Sequence, residues 1–304
     1  MSTLGRHCRT LIEKRTSRLI ECSDFDRAAD PVVALHDERV AVRRLRTMLE
    51  LLTPWLGRRS VKRVDRRLRG VSRGGSRLRE WDVHVGRIAA RLAAVDDEPE
   101  RLTLEYLHEW LERRRDRELR RAAKLRGRVD FRATGKALRR LAKKAKRRLG
   151  KEPAGRAARA ILEPRVDALF SAIPPRDAGE DLERLHRLRI RVKELRYALE
   201  CVAPELGEPA AGVPARLADL QELLGEHHDR ALLEQLLGKR AAKLEERGRV
   251  ALCGGIGRIV ERITAERRAL AARSERLCAD LDRAVLMTEL RSALRAADGA
   301  RALH

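Results

Sequence analysis

Aromatic side chains and long apolar runs are both scarce in this sequence. Aromatic residues make up 3% of the 304 residues, and no run of 18 apolar residues occurs. The first absence argues against a surface that stacks single-stranded bases, and there is neither an RNP-like aromatic motif nor zinc-finger spacing. The second argues against a membrane-spanning helix. Because the first residues also lack an apolar signal core, we expect neither export nor a membrane span.

Cysteine pairing and metal-ligand spacing are also missing. The five cysteines are widely spaced and form no CxxC pair: Cys8, Cys22, Cys201, Cys253 and Cys278. An odd number of scattered cysteines predicts reduced thiols in a cytoplasmic protein, as small core residues or inert surface groups. The closest grouping of potential ligands is residues 226–229, whose adjacent side chains would point apart on a helix. We therefore expect no metal site and no cofactor.

Positive charge is abundant. The chain has 69 Lys and Arg against 46 Asp and Glu, which gives a formal net charge of +23 and a pI near 11.0. Such a field attracts polyanions, so the candidate partners are nucleic acid, inorganic polyphosphate and an anionic membrane surface. Leu, Ala, Arg and Glu dominate, and their helical spacing predicts an all-α protein.

An internal repeat organises the sequence. Residues 35–50 read LHDERVAVRRLRTMLE, and residues 185–200 read LHRLRIRVKELRYALE, with eight of sixteen residues identical at an offset of 150. Helical spacing places a basic stripe on one side of each copy and apolar residues on another. The two stripes consist of His36, Arg39, Arg43 and Arg46, and of His186, Arg189, Lys193 and Arg196.

These stripes predict a bound anion. Neighbouring like charges cost a helix about 0.2–0.5 kcal/mol per pair, so helix stability does not explain them. Glu50 and Glu200 stand one turn beyond each stripe. The alternative interpretation is that they neutralise part of two solvated faces.

A second basic segment covers residues 136–151, KALRRLAKKAKRRLGK, with nine cations and no acid. Its Leu and Ala residues gather on the opposite side of the predicted helix. This pattern is typical of a membrane-surface or partner-binding helix, although the same apolar side could be bundle core.

The remaining chain predicts further helices. We expect one to continue from residue 61 through Gly70, Gly74 and Gly75, where glycines indicate close packing or a kink. The first repeat helix is predicted to run to about residue 56. Residues 173–181 are the clearest linker, and a single final helix is expected to reach about residue 297.

With both copies in view, the sequence resembles the CHAD family, the conserved-histidine α-helical domain. The two repeat helices carry the resemblance, together with REWDVHV at residues 79–85 and LLGEHHDRALL at residues 223–233. Glu80 stands where the family pattern usually has Asp, and Gly75-Ser76 where Leu-Gly is expected. The resemblance covers nearly the whole chain, as one domain of residues 1–304 with halves at 5–172 and 180–297.

The resemblance implies a fold and a ligand. Two helical bundles related by a pseudo-two-fold axis would face a central basic cavity, and inorganic polyphosphate would bind there. Polyphosphate has no base or sugar, so its site needs cations and donors rather than stacking aromatics. The predicted binding residues are His36, Arg39, Arg43, Arg46, Arg79, Arg140, Lys143, Arg147, His186, Arg189, Lys193 and Arg196. A proposed second wall of the cavity consists of Arg79, Arg140, Lys143 and Arg147.

Other interpretations stay open at this point. Each repeat histidine could donate to phosphate or be buried against a neighbouring helix. Charge alone would hold nucleic acid at low salt. A polyphosphatase or phosphotransferase would need metal-holding carboxylates, such as Asp82 or Asp229, or an activated nucleophile, and we find no Walker-type loop. We expect a non-enzymatic polyphosphate-binding protein in the cytoplasm, with recruitment to polyphosphate granules.

Overall fold

In the computed structural model, described for residues 3–22, 31–127, 129–175, 181–206, 210 and 212–302, every regular element is a helix. The prediction of an all-α chain is confirmed. The helices are α1 (Thr3–Glu21), α2 (Pro31–Leu51), α3 (Thr53–Leu56), α4 (Arg58–Leu92), α5 (Glu98–Arg126), α6 (Phe131–Leu149), α7 (Ala154–Phe170), α8 (Leu182–Val202), α9 (Val213–Glu245), α10 (Val250–Ala279) and α11 (Arg283–Ala302). A 3₁₀ turn, Ala203–Glu205, follows α8.

Aspartate side chains fix several helix starts. Asp97 accepts a hydrogen bond from the Glu100 amide at 2.9 Å, and Asp130 accepts one from Ala133 at 2.8 Å. Asp181 caps α8 in the same way. Each carboxylate satisfies amides that have no partner inside the helix, so these boundaries follow from local sequence.

Two predicted boundaries and one interpretation of a glycine need correction. The first repeat helix ends at Leu51, not near residue 56, because α3 and Gly57 redirect the chain; Gly57 has a φ of 81°, which favours glycine. The predicted single final helix is two helices, because the chain breaks at residues 280–282 and Asp282 caps α11 by accepting from the Val285 amide. The Gly70 position has open space, so close packing does not explain that glycine.

Two apolar cores divide the long helices α4 and α9. The larger core takes Val61, Val64 and Leu68 from α4 and Leu217 and Leu220 from α9. The smaller core, shared with α5 and α10, takes the far end of each helix: Val85 and Ile88 from α4, and Leu233, Leu237 and Leu244 from α9. Each helix therefore passes from one core to the other, and on α4 a small third cluster, in which Leu78 packs with Leu35 and Ala122, lies between them.

The helix contacts run in the same order in both parts of the chain. Helix α1 packs against α2 and α6, and α7 packs against α8 and α11. Helix α2 packs against α4, which packs against α5, while α8 packs against α9, which packs against α10. The repeat helices α2 and α8 also contact each other.

Helix α6 buries its apolar side. Leu138, Leu141, Ala142, Ala145 and Leu149 belong to the larger core. These side chains are therefore not available to a bilayer, and the interpretation of this segment as bundle core is confirmed. Within the described residues, no helix is long and apolar enough to cross a membrane.

All five cysteines are free thiols, and four of them are buried. Burial raises the pKa of Cys201 to about 12, which keeps it a neutral thiol. The prediction of unpaired cysteines is confirmed.

Candidate functional site: a basic cavity between four helices

A cavity of about 470 Å³ lies between α2, α4, α8 and α9. It occupies the turns of α4 and α9 that separate the two apolar cores. Its walls are polar and charged, with His36, Arg39 and Arg43 from α2, Arg79, Glu80, Val83 and His84 from α4, Arg189 from α8, and Gln221, Glu222, Gly225, Glu226, His228, Asp229 and Leu232 from α9. The cavity therefore draws on all four sequence segments that carry the family resemblance.

The repeat helices bring cations from residues 150 apart into one cluster. Arg43 donates a hydrogen bond from Nε to the Tyr197 hydroxyl at 3.2 Å, which fixes its side chain between α2 and α8. Arg39, Arg189 and Lys193 form no ion pair with a carboxylate anywhere in the described part of the chain. These four side chains are only partly exposed, and like charges so close together favour an anion between them.

The pKa values reflect this crowding. Burial lowers the pKa of the Arg39 guanidinium, and the neighbouring Arg43 and Arg79 lower it further. Burial also lowers the pKa of Arg189. For Lys193, burial together with Arg43 and Arg189 lowers the pKa to about 8. A bound polyanion would reverse the electrostatic part of these shifts.

Four histidines contribute to the cavity or adjoin it. The Nδ1 atoms of His36, His84 and His186 are buried and have no hydrogen-bond partner among the described residues. The rings of His186 and His228 lie 4.6 Å apart between centroids. Burial lowers the pKa of all four, to about 4 for His84 and His228, so they are neutral at pH 7.

A second cavity of about 670 Å³ adjoins the first and shares Arg43 and Gln221 with it. Arg196 and Arg44 contribute positive charge, while Leu199 contributes apolar surface. Helix α8 thus presents Arg189 at one cavity and Arg196 at the other, with Lys193 between them in the sequence.

Three predicted stripe residues line neither cavity: Arg46, His186 and Lys193. Arg46 pairs with Asp65 of α4, with 2.6 Å between Nε and Oδ1. Glu200 pairs with Arg15 at 2.6 Å. Glu200 therefore has a cationic partner outside the stripe that it was considered to neutralise.

The proposed second wall divides into two parts. Arg79 lines the first cavity. Arg140, Lys143 and Arg147 are exposed on α6, which packs against α1, α3 and α4, and they line neither cavity. The structure thus separates these three residues from the site.

Two carboxyl groups lie among the cations. Burial raises the pKa of Glu80 despite the nearby Arg39, and it raises the pKa of Asp229 despite Arg189. Glu226 instead belongs to an ion-pair network with Arg87 and Arg230, at 2.8 and 2.6 Å. In the described ranges, no three or more His, Cys, Asp and Glu residues form a group that could hold a metal ion.

The two cavities also include residues to which no anion role was assigned from the sequence. Tyr197 and Gln221 have no repeated counterpart to mark them, and His84 was given no role. Residues 226–229 were considered only as a metal site. The signal that could have identified His84 and His228 is that each lies within a segment resembling the family.

The fold and the cavity define an all-helical protein in which two basic helices line one polar, charged cavity. The comparisons with known proteins agree. The model for the CHAD domain matches residues 10–238, and the chain therefore belongs to the CHAD domain family.

Two solved structures share this fold. The CHAD domain from the plant Ricinus communis aligns with a TM-score of 0.61 at 21% identity, over 89% of this chain and 92% of that one. PptA from Streptomyces chartreusis aligns with a TM-score of 0.69 at 17% identity, over 90% of this chain and 99% of that one. Among curated proteins, no similar sequence was found.

Proposed function

We propose that this protein binds inorganic polyphosphate in the cavity between α2, α4, α8 and α9. The observation that carries the proposal is the cluster of Arg39, Arg43, Arg189 and Lys193, four partly buried cations with no carboxylate ion pair in the described structure. Such a cluster is costly in the free protein and becomes favourable when an anion enters. Membership of the CHAD family is the reason for choosing polyphosphate among the possible anions.

The two adjoining cavities suit a linear ligand. A flexible chain of phosphates can pass Arg189 in the first cavity, Arg43 at their junction and Arg196 in the second. Residues at i, i+4 on a helix are about 6 Å apart along its axis, so one helix can contact successive phosphates. Arginine supplies paired donors to phosphate oxygens, and Lys193 adds a point charge.

The proposal includes two helical halves related by a pseudo-two-fold axis around this cavity. The matching order of helix contacts supports that relation, as does the equivalent position of α4 and α9 between the two cores. In this arrangement, each half contributes one basic helix and one cavity-lining helix to a shared site.

We propose a binding role without chemical conversion of the ligand. Glu80 and Asp229 support it, because these carboxyl groups lie near Arg39 and Arg189, which compete with a metal ion for them. We further propose a cytoplasmic protein recruited to polyphosphate granules.

The decisive experiment is a calorimetric titration with long-chain polyphosphate at about 0.15 M salt. It compares wild type with the variant Arg39→Gln, Arg43→Gln, Arg189→Gln and Lys193→Gln. We expect tight binding that weakens at least about 1,000-fold, since four charge-assisted contacts are lost.

A matched control removes four exposed cations from α10: Arg258→Gln, Arg268→Gln, Arg273→Gln and Arg276→Gln. It has the same net charge as the cavity variant and should bind within about threefold of wild type. Equal losses in both variants would show that net charge, not the cavity, holds the ligand. Release of orthophosphate from the chain by pure protein, lost in the cavity variant, would show an enzyme.

A further inference from the structure

A second concentration of positive charge lies on the outside of α4, away from the cavity. Residues 58–70 of this helix contain seven cations and one acid. Six of the cations are exposed and form no ion pair in the described part of the protein: Arg58, Arg59, Lys62, Arg63, Arg66 and Arg67. The acid, Asp65, is already shared by Arg46 and Arg69, at 2.6 and 2.7 Å.

Helix α6 has a similar outer side. Between residues 136 and 149, six cations are exposed and likewise lack a carboxylate partner among the residues that the structure describes: Lys136, Arg139, Arg140, Lys143, Arg147 and Arg148. No acid occurs in residues 136–151. The two sets of six residues, on α4 and α6, are called the outer basic surface.

Helices α4 and α6 pack against each other. Val61 and Leu68 of α4 share a core with Leu141 and Ala145 of α6. At the start of α4, Lys144 of α6 donates from Nζ to the Leu56 carbonyl at 2.6 Å. Packed helices have axes about 8–10 Å apart, so the outer basic surface is two helices wide.

Helix stability does not account for this surface. Adjacent like charges on a helix repel one another, and no carboxylates in these stretches offset the repulsion apart from Asp65. Elsewhere on the protein, exposed arginines often pair, as Arg283 does with Asp167 at 2.5 Å and Arg262 does with Glu100. An unneutralised surface of this size favours a large anionic partner.

We infer that the outer basic surface binds the phosphate backbone of duplex nucleic acid, without reading its sequence. The surface is exposed on the outside of two helices, whereas the cavity begins at Arg79, about 18 Å further along α4 than Arg67. Two rows of cations on helices about 8–10 Å apart match a duplex, whose grooves are about 6 and 12 Å wide between phosphate backbones.

Other partners fit this surface less well. The exposed large apolar residues are Val33, Leu102, Leu182, Val250 and Val285, and none lies on either helix stretch, so the surface offers nothing to insert into a bilayer. Exposed aromatic side chains are also absent from both described stretches, which disfavours stacking of single-stranded bases. The partner that fits this surface is therefore one that it contacts through phosphate groups alone.

The test uses the full chain and a fluorescent duplex of about 25 base pairs, with affinity measured by anisotropy at several salt concentrations. The outer variant changes the six α4 cations to Gln: Arg58, Arg59, Lys62, Arg63, Arg66 and Arg67. The control variant changes six exposed cations on α9, α10 and their connection to Gln: Lys239, Lys243, Arg247, Arg258, Arg268 and Arg273. Both variants lose six positive charges.

We expect the outer variant to bind the duplex at least about tenfold more weakly, with a salt slope reduced by about 3–5. The control should stay within about threefold of wild type, and tripolyphosphate binding should be unchanged in both. Equal losses in the two variants, or no loss in the outer variant, would overturn the inference. The inference would also be overturned if the outer variant lost binding of long-chain polyphosphate but kept binding of the duplex. Because tripolyphosphate reports on the cavity separately, failure of the proposed function would be distinguishable.

Discussion

Helix α4 contains two kinds of arginine within four turns. Arg79 lines the cavity and has no carboxylate ion pair among the described residues, whereas Arg87 and Arg91 pair with Glu226 and Glu266, each at 2.8 Å. Arg230 of α9 joins both carboxylates and completes a network between α4, α9 and α10. This difference shows that a cation indicates an anion-binding site only where the fold places no carboxylate within ion-pair distance of it.

The largest expected effect concerns a buried pair. Glu38 of α2 pairs with Arg126 of α5 at 2.9 Å, with 2% and 7% of their side chains exposed, while the second repeat copy has the buried Leu188 in place of Glu38. Glu38→Leu removes the carboxylate from Arg126 and should lower the free energy of unfolding by about 3–5 kcal/mol, measured by urea denaturation. The double variant Glu38→Leu and Arg126→Leu should regain most of the loss.

The same variant should keep its affinity for polyphosphate, because neither Glu38 nor Arg126 lines a cavity. A loss of affinity in the folded single variant would show that paired cations also contribute to binding.

The second largest effect is expected for the cavity arginines that have no carboxylate ion pair in the described structure. Arg39→Gln or Arg189→Gln should each weaken polyphosphate binding by about 1.5–3 kcal/mol, because one charge-assisted contact is lost. The unfolding free energy should stay constant or rise, since a crowded cation is removed from the free cavity. Calorimetry and urea denaturation on the same samples separate the two quantities. If polyphosphate affinity and unfolding free energy both fell, these arginines would be stabilising the fold rather than binding the ligand.

A third test weakens the network instead. Glu266→Gln removes the carboxylate shared by Arg91 and Arg230 and should cost about 1–2 kcal/mol of stability, as these pairs are partly exposed. The Arg230 and Arg91 hydrogen bonds lower the pKa of Glu266, more than offsetting its burial. Its contribution is therefore present at pH 7 and lost as the pH falls through the lowered pKa, and the variant should lose that dependence. Ligand affinity should not change.

The smallest effect is a pH dependence of binding. Lys193 has a pKa lowered to about 8, and a polyanion favours its protonated form. Affinity should therefore fall as the pH rises from 7 to 9, by at most about tenfold per pH unit. Lys193→Arg keeps its charge and should remove this part of the dependence. An unchanged pH profile in this variant would place the ligand away from Lys193.

The apolar pattern predicted the packing of the repeat helices well. Helical spacing predicts an apolar side for the first copy, and its residues Val42, Leu45 and Leu49 are all buried. The leucines of α6 are buried, in agreement with the bundle-core interpretation and not with the membrane-surface one. The breaks near residues 51 and 280 were missed, because the first depends on how α3 and Gly57 redirect the chain and the second lacks proline and glycine.

The charged residues were harder to assign. Arg39 and Arg46 belong to the same stripe, yet only Arg39 lines the cavity, because α4 places Asp65 beside Arg46. Arg79 and Arg140 were assigned to one wall, although only Arg79 lies in a segment that resembles the family. Ion pairing depends on side chains that are far apart in the chain, and local periodicity contains no information about them.

The sequence by itself determined the helical class, the repeat, the family and the apolar side of each repeat helix, because these depend on residue type and on spacing within one segment. Only the tertiary structure decided which cations are left without carboxylates, that α4 and α9 supply His84, His228 and Asp229, and that the α6 cations lie outside the cavity. Those properties depend on distances between helices, and electrostatic energy falls with distance in space rather than along the chain.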